Sequence, residues 1–170
     1  MAVQIVPIEV KHIESFRRAL DQVARERKYL AMLEAPPLEK VSAFVLDNIA
    51  NRHSQFVAVD DDVVVGWCDV LPKERPVYRH CGVLGIGVVA SWRGKGHGRA
   101  LLSATLSYAA RQGLVRIELM VRGDNIRAVS LYQRAGFETE GVLRDAARVD
   151  GKYYDLFLMS LIDRTNALPE

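Results

Sequence analysis

The sequence predicts a mixed α/β fold, a central mixed, twisted sheet of about seven strands with about four flanking helices. Three observations carry that expectation. Apolar residues recur at helical spacing in separate stretches, β-type runs lie between those stretches, and glycines or Asp-Gly steps stand where one element must give way to the next.

In chain order, Gln4–Val6 reads as a short strand, and Ile13, Phe16, Leu20 and Val23 mark one apolar stripe of a first helix. Pro36-Pro37 breaks the chain and starts a second helix, on which Leu38, Val41, Val45 and Ile49 are expected to form the buried face. Gln55–Val59 and Val63–Leu71 flank Asp60-Asp61-Asp62 and pair as a hairpin; the three aspartates are read as hydrated turn residues rather than a cation site, which needs ligands from several positions.

Cys81–Val89 is a mostly apolar strand, followed by a glycine-rich loop and a helix carrying Leu101, Leu102, Thr105, Leu106 and Ala109, with Gly113 at its end. Leu114–Val121 is the next strand and Asn125–Ala135 the next helix, stopped by Gly136. Thr139–Val149 and Lys152–Leu161 form a hairpin on Asp150-Gly151, and the tail after Ile162 is expected to be loose.

A length of 170 residues fits one domain, taken as residues 1–170. Apolar residues make up 49% and charged residues 26%, which excludes a disordered or fibrous chain. A net charge of +2 is too small and too dispersed to imply nucleic acid or an acidic membrane, so neither is expected as a partner. Met1–Val10 shows no signal-peptide or membrane-span pattern, which points to a cytoplasmic protein. Cys68 and Cys81 lack metal-site spacing and are read as reduced thiols; no metal is expected.

The most informative segment is Arg93-Gly94-Lys95-Gly96-His97-Gly98-Arg99, between a buried strand and a helix. Glycines let the backbone turn tightly and approach a ligand, and the helix that follows presents unpaired N–H groups at the positive end of its dipole. The combination suits a phosphate. A Walker loop requires Gly-Lys-Ser or Gly-Lys-Thr, but Lys95 is followed by Gly96, and the glycine spacing does not match the dinucleotide fingerprint.

The run Val88–Leu102, with Arg93, Gly96 and Gly98 in place, resembles the strand–loop–helix core of the GNAT N-acetyltransferases. A second block, Arg116–Leu119 through Asn125, Ala128, Leu131-Tyr132 and Gly136-Phe137, resembles the following strand and helix of that superfamily, and the similarity is to its bacterial phosphinothricin and amino-acid acetyltransferase branch. The resemblance covers Cys81–Ile162, while the first eighty residues match only in element order.

The resemblance implies acetyl-CoA as co-substrate. Its pantetheine arm would pair with Ile86, Gly87 and Val88, its pyrophosphate would take N–H groups from Lys95 to Arg99, including Gly96, His97 and Gly98, and Arg93 and Gly94 would complete the loop. Asn125 would bond the pantetheine arm and Arg134 would approach the 3′-phosphate. Tyr132 stands where related enzymes place a tyrosine against the cofactor sulfur, and a phenol can protonate a departing thiolate. The Val88 N–H would meet the charge growing on the carbonyl oxygen.

Many relatives carry a glutamate on the strand before the loop, but Val83-Leu84-Gly85-Ile86-Gly87 offers none. Glu118 is the nearest candidate for the base, with an ion pair to a neighbouring arginine as its alternative role; Asp69, His80 and a water relay follow. His12 and His53 are read as surface residues, and Trp67 and Tyr29 as core aromatics or acceptor-pocket lining. The implied activity is acetyl transfer to a small primary amine such as an amino acid. Acetylation of a protein N-terminus or lysine and non-catalytic acyl-CoA sensing are the alternatives, and a homodimer is compatible with the exposed strands.

Overall fold

A computed structural model of the chain describes residues 3–168. The strands follow the order β1-β2-β3-β4-β5-β7-β6, with β1 Gln4–Pro7, β2 Ser54–Asp60, β3 Val63–Pro72, β4 Cys81–Val88, β5 Arg116–Arg122, β6 Glu138–Val149 and β7 Lys152–Ile162. The β4–β5 pair is parallel, whereas β1–β2, β2–β3, β5–β7 and β6–β7 are antiparallel. Among the described residues, four α-helices accompany them: α1 Ile13–Arg25, α2 Leu38–Ala50, α3 His97–Arg111 and α4 Ile126–Arg134. The chain groups into two compact units, Met1–Leu71 with Gly85–Ala109, and Pro72–Leu84 with Ala110–Glu170.

In the first unit the helical spacing of α1 buries Ile13, Phe16, Leu20 and Val23 in one apolar cluster with Val41 and Val45 of α2 and Val57, Val64 and Trp67 of the sheet. Each such side chain contributes roughly 1.5–3 kcal/mol, an upper figure because an unfolded chain already buries some surface. Phe16 meets Trp67 edge-on at 5.7 Å. The β2–β3 hairpin turns on Asp61 and Asp62 at φ +43° and +64°, the left-handed pair that a two-residue turn needs, in keeping with the turn reading of the aspartates.

Two expectations for this unit need correction. On α2, Leu38 and Ile49 are each 38% exposed, while Asn48 is buried together with Val41 and Val45. Asn48 tolerates the interior because its amide donates to Gln55 Oε1 at 2.8 Å and its oxygen lies 3.2 Å from His53 Nδ1. His12 is buried rather than exposed: its Nδ1 accepts the Glu9 N–H at 3.0 Å in a reciprocal cap, and burial lowers its pKa.

The second unit holds the β6–β7 hairpin, which turns on Asp150 and Gly151 at φ +49° and +81° as the Asp-Gly step predicts. Its tail departs from the loose end expected after Ile162. The Asp163 N–H donates to the Val115 carbonyl at 2.8 Å, Asn166 Nδ2 donates to the Leu114 carbonyl, and the Leu168 side chain covers Gly113, where a Cβ would collide with it. Gly113 itself adopts φ +81°.

Cys68 and Cys81 are free and buried. Among the described residues, no helix is long and apolar enough to cross a membrane, and no group of three or more His, Cys, Asp or Glu side chains is placed to hold a metal ion.

Candidate functional site

The parallel β4–β5 ladder consists of Cys81↔Arg116, Gly82↔Ile117 and Val83↔Glu118. Past Val83, β4 continues through Ile86, Gly87 and Val88 outside that ladder, so this stretch lacks the β5 partner that its first half has. Backbone polar groups on a strand require a partner, and a ligand with amide groups along its length can be one. Gly87 is required for a packing reason: the Trp67 indole lies against it and occupies the space a Cβ would take.

After β4, Ala90–Trp92 form one 3-10 turn and the loop passes through Gly94 and Gly96, at φ +77° and +88°. A Cβ at either position would meet nothing within 4 Å. The glycines therefore serve the left-handed backbone and not a crowded contact. α3 opens at His97, so Gly98 lies in its first turn, as does the exposed Arg99, and that turn contains no acidic residue. The N–H groups there lack partners inside the helix and sit at the positive end of its dipole. Lys95 Nζ stands 4.6 Å above the Trp92 ring, and the His97 ring lies 5.9 Å from it.

Arg93 has a different position from the one its place in the loop suggests. Its Nε donates to the Val88 carbonyl at 2.7 Å, while Nη1 and Nη2 donate to Glu26 at 2.8 and 2.6 Å. Its guanidinium thus holds the loop to the end of β4 and to the C-cap of α1. Lys95 and Arg99 of the same stretch are exposed cations.

In the second unit, Asn125 caps α4, its Oδ1 accepting the Ala128 N–H at 3.3 Å. Tyr132 is 6% exposed and its ring meets Phe137 at 5.8 Å, so the phenol is carried by a packed aromatic pair. Arg134 lies exposed in the last turn of α4. Glu118 forms ion pairs with Lys73 and with Arg116, the latter at 3.2 Å, and although burial opposes it, these two cations hold its carboxyl below the usual range. Arg116 also forks onto Glu140 at 2.8 and 2.6 Å, and Ser160 donates to the same carboxylate. Glu118 is thus one member of a four-residue charged cluster, the ion-pair role that its neighbours in sequence allowed.

Of the other candidates, His80 is exposed and its carbonyl accepts the Val115 and Arg116 N–H groups. Trp67 is 4% exposed and belongs to the core, whereas Tyr29 is 43% exposed. Asp69 is 8% exposed, and burial alone pushes its carboxyl up to about 7. Sequence reasoning missed Glu26 and Lys73, because pairing partners so distant along the chain leave no local signal. It also missed Trp92, whose aromatic platform beside Lys95 could have been noticed from their spacing.

The profile of the acetyltransferase (GNAT) family matches residues 18–137. Over 109 residues the chain is 34% identical to the L-amino acid N-acetyltransferase AaaT of Escherichia coli, covering 64% of this chain and 67% of that protein. Over 104 residues it is 36% identical to the N-alpha-acetyltransferase RimI of Mycobacterium tuberculosis, covering 61% of this chain and 64% of that one. The matches thus span about two thirds of these relatives' length. A phosphinothricin acetyltransferase of Sinorhizobium meliloti, solved in complex with acetyl-CoA, superposes with a TM-score of 0.85 over 100% of this chain and 94% of its own, at 21% identity, which shows a shared fold. With a matched profile that takes in the glycine loop, α3, β5 and α4, the chain belongs to the acetyltransferase (GNAT) family.

Proposed function

We propose that residues 1–170 act as one catalytic domain that moves the acetyl group of acetyl-CoA to a primary amine of a small molecule, an amino acid or an analogue, by direct attack of the amine on the thioester. The observation that carries this reading is the continuity of three features in the first unit. The end of β4 lacks its β5 partner, Gly94 and Gly96 turn the chain in the left-handed region, and the first turn of α3 opens with unpaired N–H groups and no acidic side chain. A diphosphate fits such a cradle, since anions at a helix N-terminus gain about 0.3–1 kcal/mol each from the dipole, with charge-assisted hydrogen bonds adding to it.

In this reading Ile86, Gly87 and Val88 bind the pantetheine arm as an added strand, Lys95 to Arg99 take the pyrophosphate, and Arg93 fixes the loop through Glu26. Asn125 and Arg134 serve the pantetheine arm and the 3′-phosphate. The Val88 N–H stabilises the developing oxyanion, and Tyr132 protonates the departing sulfur. The amino-acid acceptor draws support from the likeness to an L-amino acid N-acetyltransferase.

A second reading, acetylation of a polypeptide N-terminus, draws support from the likeness to an N-alpha-acetyltransferase. One assay separates them. The protein is incubated with acetyl-CoA and panels of amino acids, other amines and short peptides, and release of free thiol is followed. Turnover with amino acids supports the first reading, turnover with peptides alone supports the second, and binding of acetyl-CoA without thiol release on any panel overturns both in favour of an acyl-CoA-binding role.

A further inference from the structure

Asp69 and Gln55 are direct partners across the β2–β3 ladder, so their side chains rise from the same face of the sheet. Gln55 is 2% exposed, and its Oε1 is bonded by Asn48 while its Nε2 is buried with no hydrogen-bond partner. On the other side of Asp69, its Oδ1 lies 3.1 Å from the point where a Cβ on Gly85 would stand. The carboxyl therefore lies against bare backbone of β4, on the strand that ends at Val88. Among the described residues it makes no hydrogen bond or ion pair, and the residues beside it on β2 and β4, Gln55 and Gly85, do not titrate. The adjacent Cys68 is a buried thiol driven further from ionisation by desolvation.

A buried carboxyl without a partner is costly, and an apolar side chain or an amide at that position would stabilise the fold better. Such groups concentrate at functional sites. We infer that Asp69 is the general base of the transfer, taking the proton of the acceptor amine beside the Gly85–Gly87 stretch of β4. The inference rests on the acetyl-transfer reading above and supplies the role left empty by the missing glutamate on β4.

The acceptor arrives as an ammonium and gives one proton to the Asp69 carboxylate, which later passes it to solvent. The freed lone pair forms the C–N bond, the C–S bond breaks with its electron pair on sulfur, and sulfur takes a proton from Tyr132. The nitrogen loses a second proton, which restores the phenol through solvent. The sum is ammonium plus thioester to amide, thiol and one released proton. A carboxyl lifted to about 7 is a stronger base than an ordinary carboxylate and is still partly ionised at neutral pH. Glu118, held low by Lys73 and Arg116, is a weaker one.

The test measures kcat/KM against pH for the wild type, Asp69→Asn, Asp69→Glu and Asp69→Ala on the best amine of the panel, with acetyl-CoA affinity measured separately. Asp69→Asn is expected to lose about 10²–10⁴-fold at neutral pH and to lack the acidic limb of the wild-type profile. It should bind acetyl-CoA normally and recover activity as the pH approaches the pKa of the amine, while Asp69→Glu keeps part of the rate. Asp69→Ala takes its place if Asp69→Asn does not fold. An unchanged rate and limb, an equal loss at every pH, or a loss traced to acetyl-CoA binding each overturns the assignment. A wild type that releases no thiol with any amine brings down the transferase reading and this inference together; an active wild type matched by Asp69→Asn brings down the inference alone.

Discussion

The Arg93 guanidinium closes on the Glu26 carboxylate through two parallel hydrogen bonds of 2.8 and 2.6 Å, joining residues 67 positions apart. The same side chain donates from Nε to the Val88 carbonyl, so one residue ties the glycine loop, the last residue of β4 and the C-cap of α1 together. The side chains of Arg93 and Glu26 are 31% and 21% exposed, so solvent screens the pair only in part.

Breaking this clamp is expected to weaken acetyl-CoA binding without touching any phosphate contact. Glu26→Gln removes the charge but keeps the shape, and a loss of about 1–2 kcal/mol corresponds to a KM for acetyl-CoA raised about 5–30-fold. Arg93→Lys cannot rebuild the fork and should resemble it. Steady-state kinetics with acetyl-CoA as the varied substrate check this, and an unchanged KM in both variants would show that the clamp is incidental.

The glycines of the site should fail in two different ways. Gly94→Ala and Gly96→Ala have open space for the methyl but must hold it at positive φ, at a cost of about 1–2 kcal/mol that appears as weaker acetyl-CoA binding. Gly87→Ala drives the methyl into the Trp67 indole, an overpacking that costs about 1–3 kcal/mol and lowers Tm. Combining Gly87→Ala with Trp67→Leu should recover part of that loss, and calorimetry of the two single variants and the pair measures the coupling.

Tyr132→Phe tests the acid. The ring contact with Phe137 survives the change, and kcat should fall by about 10²-fold or more if the phenol protonates the thiolate. Equal kcat at saturating substrates would remove Tyr132 from the chemistry and leave it a packing residue.

Asp69 gives stability a pH dependence with a definite sign. An ordinary aspartate ionises near 3.9, whereas the folded protein retains the proton up to about 7. Between those values the folded state binds more protons than the unfolded state, so this group makes stability fall as pH rises. Asn does not titrate. Asp69→Asn should therefore match the wild type at about pH 4 and gain in Tm over it as the pH rises to about 7. Thermal melts at several pH values test this, and a constant Tm difference would mean that the carboxyl is not held neutral by burial.

Much of the fold was legible because its signals are local. The spacing of Ile13, Phe16, Leu20 and Val23 makes α1 amphipathic wherever it packs, and Asp150-Gly151 favours a tight turn with no outside help. Gly94 and Gly96 were equally readable, since their positive φ is a demand on the residue itself. The same reasoning failed at Ile49, Asn48, His12 and the tail beyond Ile162. For Asn48 and the tail the outcome depends on what another segment offers, Gln55 to satisfy the amide and Val115 and Gly113 to receive the tail, while His12 is held by a cap with Glu9 that its residue type alone does not announce.

The division between the two levels follows from the range of the forces involved. Periodicity, turn residues and the glycines were enough to establish the elements, their order and the left-handed turn of the loop ahead of α3, since these depend on backbone torsions and on neighbours within a turn or two. The environment of each ionisable side chain was not written there. Arg93 was diverted to Glu26, Glu118 was lowered between Lys73 and Arg116, and Asp69 was raised by burial beside Gly85. Charge and desolvation act through space between residues far apart in the chain, so the partner and surroundings of each of these side chains were decided only by the folded arrangement.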